Sequence, residues 1–338
     1  MAELDFPAAV EHEAAVALEI VVPFYDEAAA LPVLFERLRR VFDEAACTAH
    51  GLSSVRIILV DDGSKDGSAA IAADAIRGGF PATLYRFSRN FGHQAAVSAG
   101  LSYSGAALVA VMDADLQDPP EVVLEMVDAW RAGADVVYAV RRNRKEGVAK
   151  RAAYHLFYRL YRFLSEVDVP VDSGDFALLD RKVVDAMESL PEQLRFLRGL
   201  RTWVGFRQTA VTYDRAARAF GQSKYDWIRL YQLATDGIAS MSVRPLRIVQ
   251  FALISTAVLT LLMGMGLIAT GALAGDLDPI DWWGLAICLA VLGTSSVNLV
   301  CLYVLSAYIG RTYLEVKARP GWIVQEVVGA PAPGKVAD

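Results

Sequence analysis

Residues Arg56–Ser68 read RIILVDDGSKDGS. Four apolar residues, Ile57 to Val60, stop at two adjacent carboxylates, Asp61 and Asp62, and a glycine follows. A short apolar run closed by turn residues predicts a buried strand. Gly63 permits a tight turn, and Asp66-Gly67-Ser68 has the make-up of a helix cap. The stretch therefore predicts strand, turn and helix in that order.

The same unit recurs on either side. The apolar runs ALEIVVP (17–23), ATLYRFS (82–88), ALVAVMD (107–113) and DVVYAV (135–140) alternate with helical patterns starting near Glu27, Asp66, His93 and Pro119. Such alternation predicts an α/β fold with a mostly parallel sheet covered by helices. The strands are apolar throughout, as expected when both faces are buried. Ligands of open parallel sheets bind beyond the carboxyl ends of the strands. The unusual residues gather at those ends: PFYDE (23–27), DDGSKDGS (61–68), DADLQDPP (113–120) and RRNRKE (141–146). No GxGxxG follows the first strand and no GxxxxGK[ST] occurs, which argues against a dinucleotide dehydrogenase and a P-loop NTPase.

The 338 residues carry a formal charge of −6, which argues against nucleic acid as a partner. Cys47, Cys288 and Cys301 have no CxxC or Cys/His spacing, so neither a disulfide framework nor a zinc site is expected. The acidic N-terminus has no basic leader, and no cleavable secretory signal is expected. Hydropathy changes near residue 248. Ile248–Gly275 and Trp282–Gly310 contain no charged residue, and each exceeds the ~20 residues a membrane span needs. The competing reading is a pair of buried core helices. Arg244 and Arg247 precede the first run, Arg311, Lys317 and Arg319 follow the second, and the connector GDLDPID is acidic. The positive-inside rule then predicts a hairpin with both outer ends cytoplasmic. Small residues at Gly264, Gly266, Ala269 and Gly271 suit close packing, against a second copy in a homo-oligomer or against the second span.

Residues 150–165, KRAAYHLFYRLYRFLS, and 224–243 are amphipathic. The first fits a membrane-surface helix or one packed on the sheet; the position of the second beside the spans favours the interface.

The chemistry concentrates in Asp113-Ala114-Asp115. Two carboxylates one residue apart after a buried strand can hold a divalent cation through hard oxygen ligands, Mg²⁺ or Mn²⁺, with substrate phosphates completing its shell. Gln117 adds a neutral contact. The plainer reading is a solvated turn. Asp118 before Pro119-Pro120 fits a helix start. The Asp61-Asp62 pair suits hydrogen bonds to a base or ribose, and Tyr25 suits stacking on a base, with Glu27 nearby.

Taken together, P-x-Y-[ND]-E, V-D-D-G-S-x-D-G and D-A-D-L-Q-x-P-P at successive strand ends resemble glycosyltransferase family 2. The resemblance is greatest to its polyprenyl-phosphate subgroup, which includes dolichyl-phosphate mannose synthase and bacterial bactoprenol glucosyltransferases. It continues through SGDFALLDR (173–181), FLRGL (196–200), RAFGQSKY (218–225) and the two spans. It implies a GT-A catalytic domain over 17–223 after an extension 1–16, then a juxtamembrane segment 224–247, membrane helices at about 248–272 and 283–309, and a tail 311–338. By the same resemblance Pro23, Tyr25, Glu27 and Asp62 contact the donor nucleoside. Asp113, Ala114 and Asp115 surround ribose, diphosphate and metal, and Arg141, Arg218 and Lys224 meet phosphates. The chain departs from the family pattern at Asp26, where Asn is more usual.

The implied reaction transfers a sugar, UDP-glucose being the best-matched donor, to polyprenyl phosphate with inversion. Asp175 is the candidate for a base or for positioning the acceptor. A processive polysaccharide synthase shares the nucleotide domain, but this chain lacks Q-x-x-R-W and a channel's worth of spans. A non-catalytic nucleotide-sugar-binding scaffold is the other alternative.

Overall fold

The computed structural model describes residues 14–142, 164, 173–214, 237, 239–273 and 280–330. Most of 150–165 and of 224–243, together with Arg218 and Lys224, therefore lie outside the described residues. The strands are β1 (Val16–Phe24), β2 (Leu52–Asp61), β3 (Ala82–Phe87), β4 (Leu108–Val111), β5 (Val136–Arg141), β6 (Ser173–Asp180), β7 (Gln208–Tyr213) and β8 (Val324–Val328). The helices are α1 (Leu31–Val41), α2 (Glu44–Ala49), α3 (Ser68–Arg77), α4 (His93–Tyr103), α5 (Glu121–Arg131), α6 (Arg181–Glu188), α7 (Leu197–Trp203), α8 (Arg244–Leu273) and α9 (Ile280–Lys317).

One eight-stranded sheet runs in the order β7-β5-β6-β4-β1-β2-β3-β8. β1 pairs in parallel with β2 and β4, β2 with β3, and β5 with β7. β6 runs antiparallel between β4 and β5, and β8 antiparallel on β3. Alternate side chains of β1 enter different layers: Ile20 and Val22 join one buried cluster, Val21 the other. A strand buried on both faces needs apolar residues at successive positions, which accounts for the nearly continuous apolar runs. Glu19 interrupts β1 yet is buried, because its carboxylate accepts the N–H groups of Gly105 and Ala106 at 2.6 and 3.0 Å.

Reversal of β6 matters for function. Val111 of β4 lies opposite Ala177 of β6, so two residues farther toward the carboxyl edge Asp113 and Asp175 come level. An antiparallel strand thus brings its N-terminal residues to the edge where its neighbours end.

α8 and α9 contain stretches long and apolar enough to cross a membrane, Arg244–Gly266 and Ala290–Lys317. They are not the core helices of a soluble fold, since Phe251, Leu261, Leu292 and Leu299 are each more than 60% exposed. With 38 residues α9 reaches about 57 Å, well beyond a ~30 Å hydrocarbon core. After it, residues read as a tail form β8, which extends the sheet at β3. Trp322 stacks on Phe87 and donates from Nε1 to the Tyr103 hydroxyl at 3.0 Å.

Candidate active site

The loops after β1 and β2 are latched together. Asp26 has φ +56° and donates its N–H to Ser64 Oγ at 3.0 Å, while its Oδ1 accepts the Lys65 N–H at 2.8 Å. Asn and Asp are the side chains that best tolerate this left-handed conformation, and either supplies the accepting oxygen. The Asp-for-Asn departure therefore preserves the latch. Glu27 N–H donates to Ser68 Oγ at 2.9 Å and Ala28 N–H to Asp66 at 3.0 Å. Asp66 also accepts the N–H of Ser68, the first residue of α3, whose cap residue is Gly67 with no side-chain cap bond. Gly63 has φ +75°, and a Cβ there would stand 2.6 Å from the Arg89 carbonyl carbon.

Tyr25 and Glu27 are half-buried at this edge, and Pro23 is buried within β1. Asp61 and Asp62 are buried, and burial raises both pKa values. Asp61 Oδ1 accepts the Ser64 N–H at 2.8 Å. Asp62 accepts the N–H groups of Phe91 (2.6 Å) and Gly92 (3.0 Å), which fixes the turn before α4.

At the end of β4, Asp115 Oδ1 accepts the Gln117 N–H at 3.1 Å, and Leu116 between them takes φ +62°. A bulky residue in that region is strained, a condition typical of functional turns. Ala114 and Asp115 are buried, while the Asp113 side chain is partly exposed. Asp118 corrects the sequence reading. It does not start α5, whose cap is Pro120 with no side-chain bond; instead it is buried and accepts the Tyr213 hydroxyl at 2.7 Å. Arg141 Nε reaches that hydroxyl at 3.4 Å. Burial, followed by the Asp118 charge, pushes the Tyr213 pKa up. The ends of β5 and β7 are thereby tied to the turn bearing Asp113 and Asp115.

Asp175 is the hub of the site. Arg198 Nε donates to its Oδ1 at 2.8 Å and Nη2 to its Oδ2 at 3.2 Å, while Gln94 Nε2 (3.0 Å) and His93 Nε2 (3.2 Å) reach Oδ2. Burial alone would raise its pKa; the Arg198 charge and the His93 and Arg198 hydrogen bonds outweigh burial and hold it far below the carboxylate range. His93 Nε2 also lies 3.7 Å from Asp113 Oδ1. Burial alone would lower the imidazole pKa, but the Asp175 hydrogen bond and the Asp113 and Asp175 charges raise it to about 9. His93 is therefore a cation at neutral pH, bridging two carboxylates. Arg201 is buried, its Nε and Nη2 have no hydrogen-bond partner among the described residues, and burial lowers its pKa to about 10.

His93, Arg198 and Arg201 carried no assigned role from sequence. The available signal was three cationic side chains on two short helices otherwise directed into the core, with Arg198 and Arg201 one turn apart.

Among the described residues no group of three or more His, Cys, Asp or Glu side chains is arranged to hold a metal ion. Asp113 and Asp115 fit Mg²⁺ or Mn²⁺ nonetheless, because such ions take one or two carboxylates and fill the remaining positions with water and substrate phosphate.

The glycosyl transferase family 2 model matches residues 19–187, from β1 through α6. A Bacillus subtilis protein described as uncharacterized glycosyltransferase YkcC is 40% identical over 92% of this chain and 94% of its own length. The SfII prophage-derived bactoprenol glucosyl transferase of Shigella flexneri is 35% identical over 91% of this chain and 97% of its own. Among solved structures, a mannosyltransferase from Pyrobaculum calidifontis in complex with GDP-Man and Mn²⁺ aligns over 92% of this chain and 91% of its own, with a TM-score of 0.47 and 15% identity. With the strand-end motifs, the sheet that gathers them and relatives matched along nearly their whole length, the chain belongs to glycosyltransferase family 2.

Proposed function

We propose that the protein is a membrane-bound inverting glycosyltransferase that moves glucose from UDP-glucose to polyprenyl phosphate. The observation that carries this reading is the similarity to a bactoprenol glucosyl transferase, which extends through the catalytic part and both long apolar helices. The positive-inside pattern supports a hairpin with the catalytic domain and both termini on the cytoplasmic side of the inner membrane.

In the reaction an acceptor phosphate oxygen forms a bond to the anomeric carbon as the bond to the donor diphosphate breaks, and the nucleoside diphosphate leaves. Pro23, Tyr25 and Glu27 line the nucleoside site, and Asp62 shapes it by holding the turn at residues 91 and 92. Ala114 and Gln117 flank the sugar-diphosphate, Arg141 is assigned to its phosphates, and the family resemblance assigns Arg218 and Lys224 to them as well. Asp113 and Asp115 would hold Mg²⁺ or Mn²⁺, which supplies neutralisation of the charge developing on the leaving diphosphate.

A phosphate acceptor, with a second pKa near ~6 by analogy with phosphorylated side chains, needs no strong base at neutral pH. Asp175 is accordingly assigned to positioning. Its low proton affinity makes it a poor base, while its bonds hold Arg198 and also His93, whose Nε2 lies 3.7 Å from Asp113.

The test is incubation of the purified protein in nanodiscs with radiolabelled nucleotide sugars, polyprenyl phosphate and Mg²⁺ or Mn²⁺. Label in a short lipid product from UDP-glucose is expected. Label in polymer would instead support a processive synthase, and no transfer from any donor a binding scaffold.

A further inference from the structure

The membrane hairpin and the catalytic centre meet at α7. Its Arg198 grips Asp175, and the two residues that matter just upstream, Gln193 and Leu194, are gripped from α9. Glu315 accepts the Gln193 N–H at 3.0 Å with one carboxylate oxygen and the Leu194 N–H at 2.9 Å with the other. One turn earlier Arg311 Nη2 donates to the Leu194 carbonyl at 3.3 Å. Both side chains lie beyond the second uncharged run, on neighbouring positions of one helix face.

The loop between this clasp and α7 has little slack. Arg195 bonds Glu188 at 2.7 Å and the Met187 carbonyl at 2.8 Å, anchoring the loop to α6. Just before α8, Met241 packs on α7 so closely that a Cβ at Gly199 would stand 2.8 Å from its Cγ. Tyr308 of α9 donates to the Ser242 carbonyl at 2.7 Å and joins the two grips. Charge-assisted bonds to backbone on a continuous helix form a stiff connection.

We propose that Glu315, aided by Arg311, is a positioning residue that sets Arg198 and Asp175 at a fixed height above the bilayer, in line with the phosphate of a lipid acceptor. The inference rests on the lipid-phosphate acceptor proposed above. A lipid holds its phosphate at the headgroup level, so the protein must bring the site to it, and a misplacement of ~1 Å can cost 10²-fold in rate. A short water-soluble acceptor has no fixed depth and enters the site wherever it stands.

The experiment compares wild type, Glu315→Ala and Glu315→Gln, full length in nanodiscs, with long-chain polyprenyl phosphate in the bilayer and with a short, water-soluble prenyl phosphate. For Glu315→Ala we expect the nucleotide-sugar KM and short-acceptor kcat to stay within about twofold, and long-chain kcat to fall at least tenfold. Glu315→Gln, which keeps one accepting oxygen, recovers part of the loss. Equal losses on both acceptors, or no loss on either, overturn the linkage. Amide hydrogen exchange gives a readout independent of turnover: in Glu315→Ala faster exchange at Gln193 and Leu194 spreads into Leu197–Trp203. Exchange confined to the two amides overturns the proposal. A wild-type protein inactive on both acceptors sinks the acceptor reading, and the exchange result then decides the linkage alone.

Discussion

The charge on His93 is the most exposed part of the site's electrostatics to test. Its pKa stands at about 9 in the folded protein against an ordinary 6.5. At 1.36 kcal/mol per pH unit that interval corresponds to about 3.4 kcal/mol in the absence of screening. The His93 side chain is 44% exposed, and exposed ion pairs are worth ~1 kcal/mol or less, so solvent screening reduces the expected contribution to about 1–2 kcal/mol. The folded-state pKa is the higher one, so this stability is complete below pH 6.5 and disappears as pH rises through 9. Chemical denaturation of wild type and His93→Gln in detergent, with EDTA to keep cations off Asp113, should show their stability difference shrinking by about 1–2 kcal/mol between pH 6.5 and 9.5. In parallel, ¹³C-histidine NMR should resolve four imidazoles, His93 identified by its loss in the variant and titrating near 9. In Asp175→Asn the midpoint should fall back toward the ordinary value. A wild-type His93 titrating at or below 6.5, or a stability difference independent of pH, would refute the bridging arrangement.

Asp115→Ala should abolish metal-dependent sugar transfer while membrane insertion stays intact; near-normal turnover sinks the metal assignment. Arg201→Met should leave thermal stability unchanged or improve it, because a buried guanidinium with two nitrogens unpartnered among the described residues is replaced by an apolar chain of similar length. A marked loss of melting temperature contradicts that. Gly63→Ala should destabilise the catalytic part by roughly 2–4 kcal/mol, from a left-handed backbone and a Cβ driven against Arg89, and a melting curve like that of wild type excludes the proposed turn. Tyr213→Phe keeps the edge contact with Phe176 but deprives buried Asp118 of a donor, so a loss of about 2 kcal/mol is expected in the same assay.

The parallel core was legible because burial on both faces demands consecutive apolar residues, and β1 to β5 supply them. β6 was harder to read as a strand: Gly174 and Asp175 break its apolar run, and its direction depends on pairing between two strands distant in sequence. That reversal brings Asp175 to His93, 82 residues away in sequence, a contact no local pattern encodes. The misreading of Asp118 has a similar cause. Asp before Pro-Pro is a sound local signal for a helix start, but Tyr213, 95 residues on, offers a buried hydroxyl that wins the side chain. Asp113 and Asp115 stand just past the end of buried β4, a placement that the apolar run before them makes legible.

Pairing of β8 with β3 constrains biogenesis. The last strand follows both long helices in the chain, whereas its partner precedes them. If the helices span a bilayer, the sheet can be completed only when the second helix returns the chain to the compartment it left. A chain with one helix inserted would strand β8 across the membrane and leave Phe87 without its Trp322 cover. Closure of the sheet edge thus records an even number of crossings, and protease protection of residues 322–328 would report correctly inserted molecules without any measurement of catalysis.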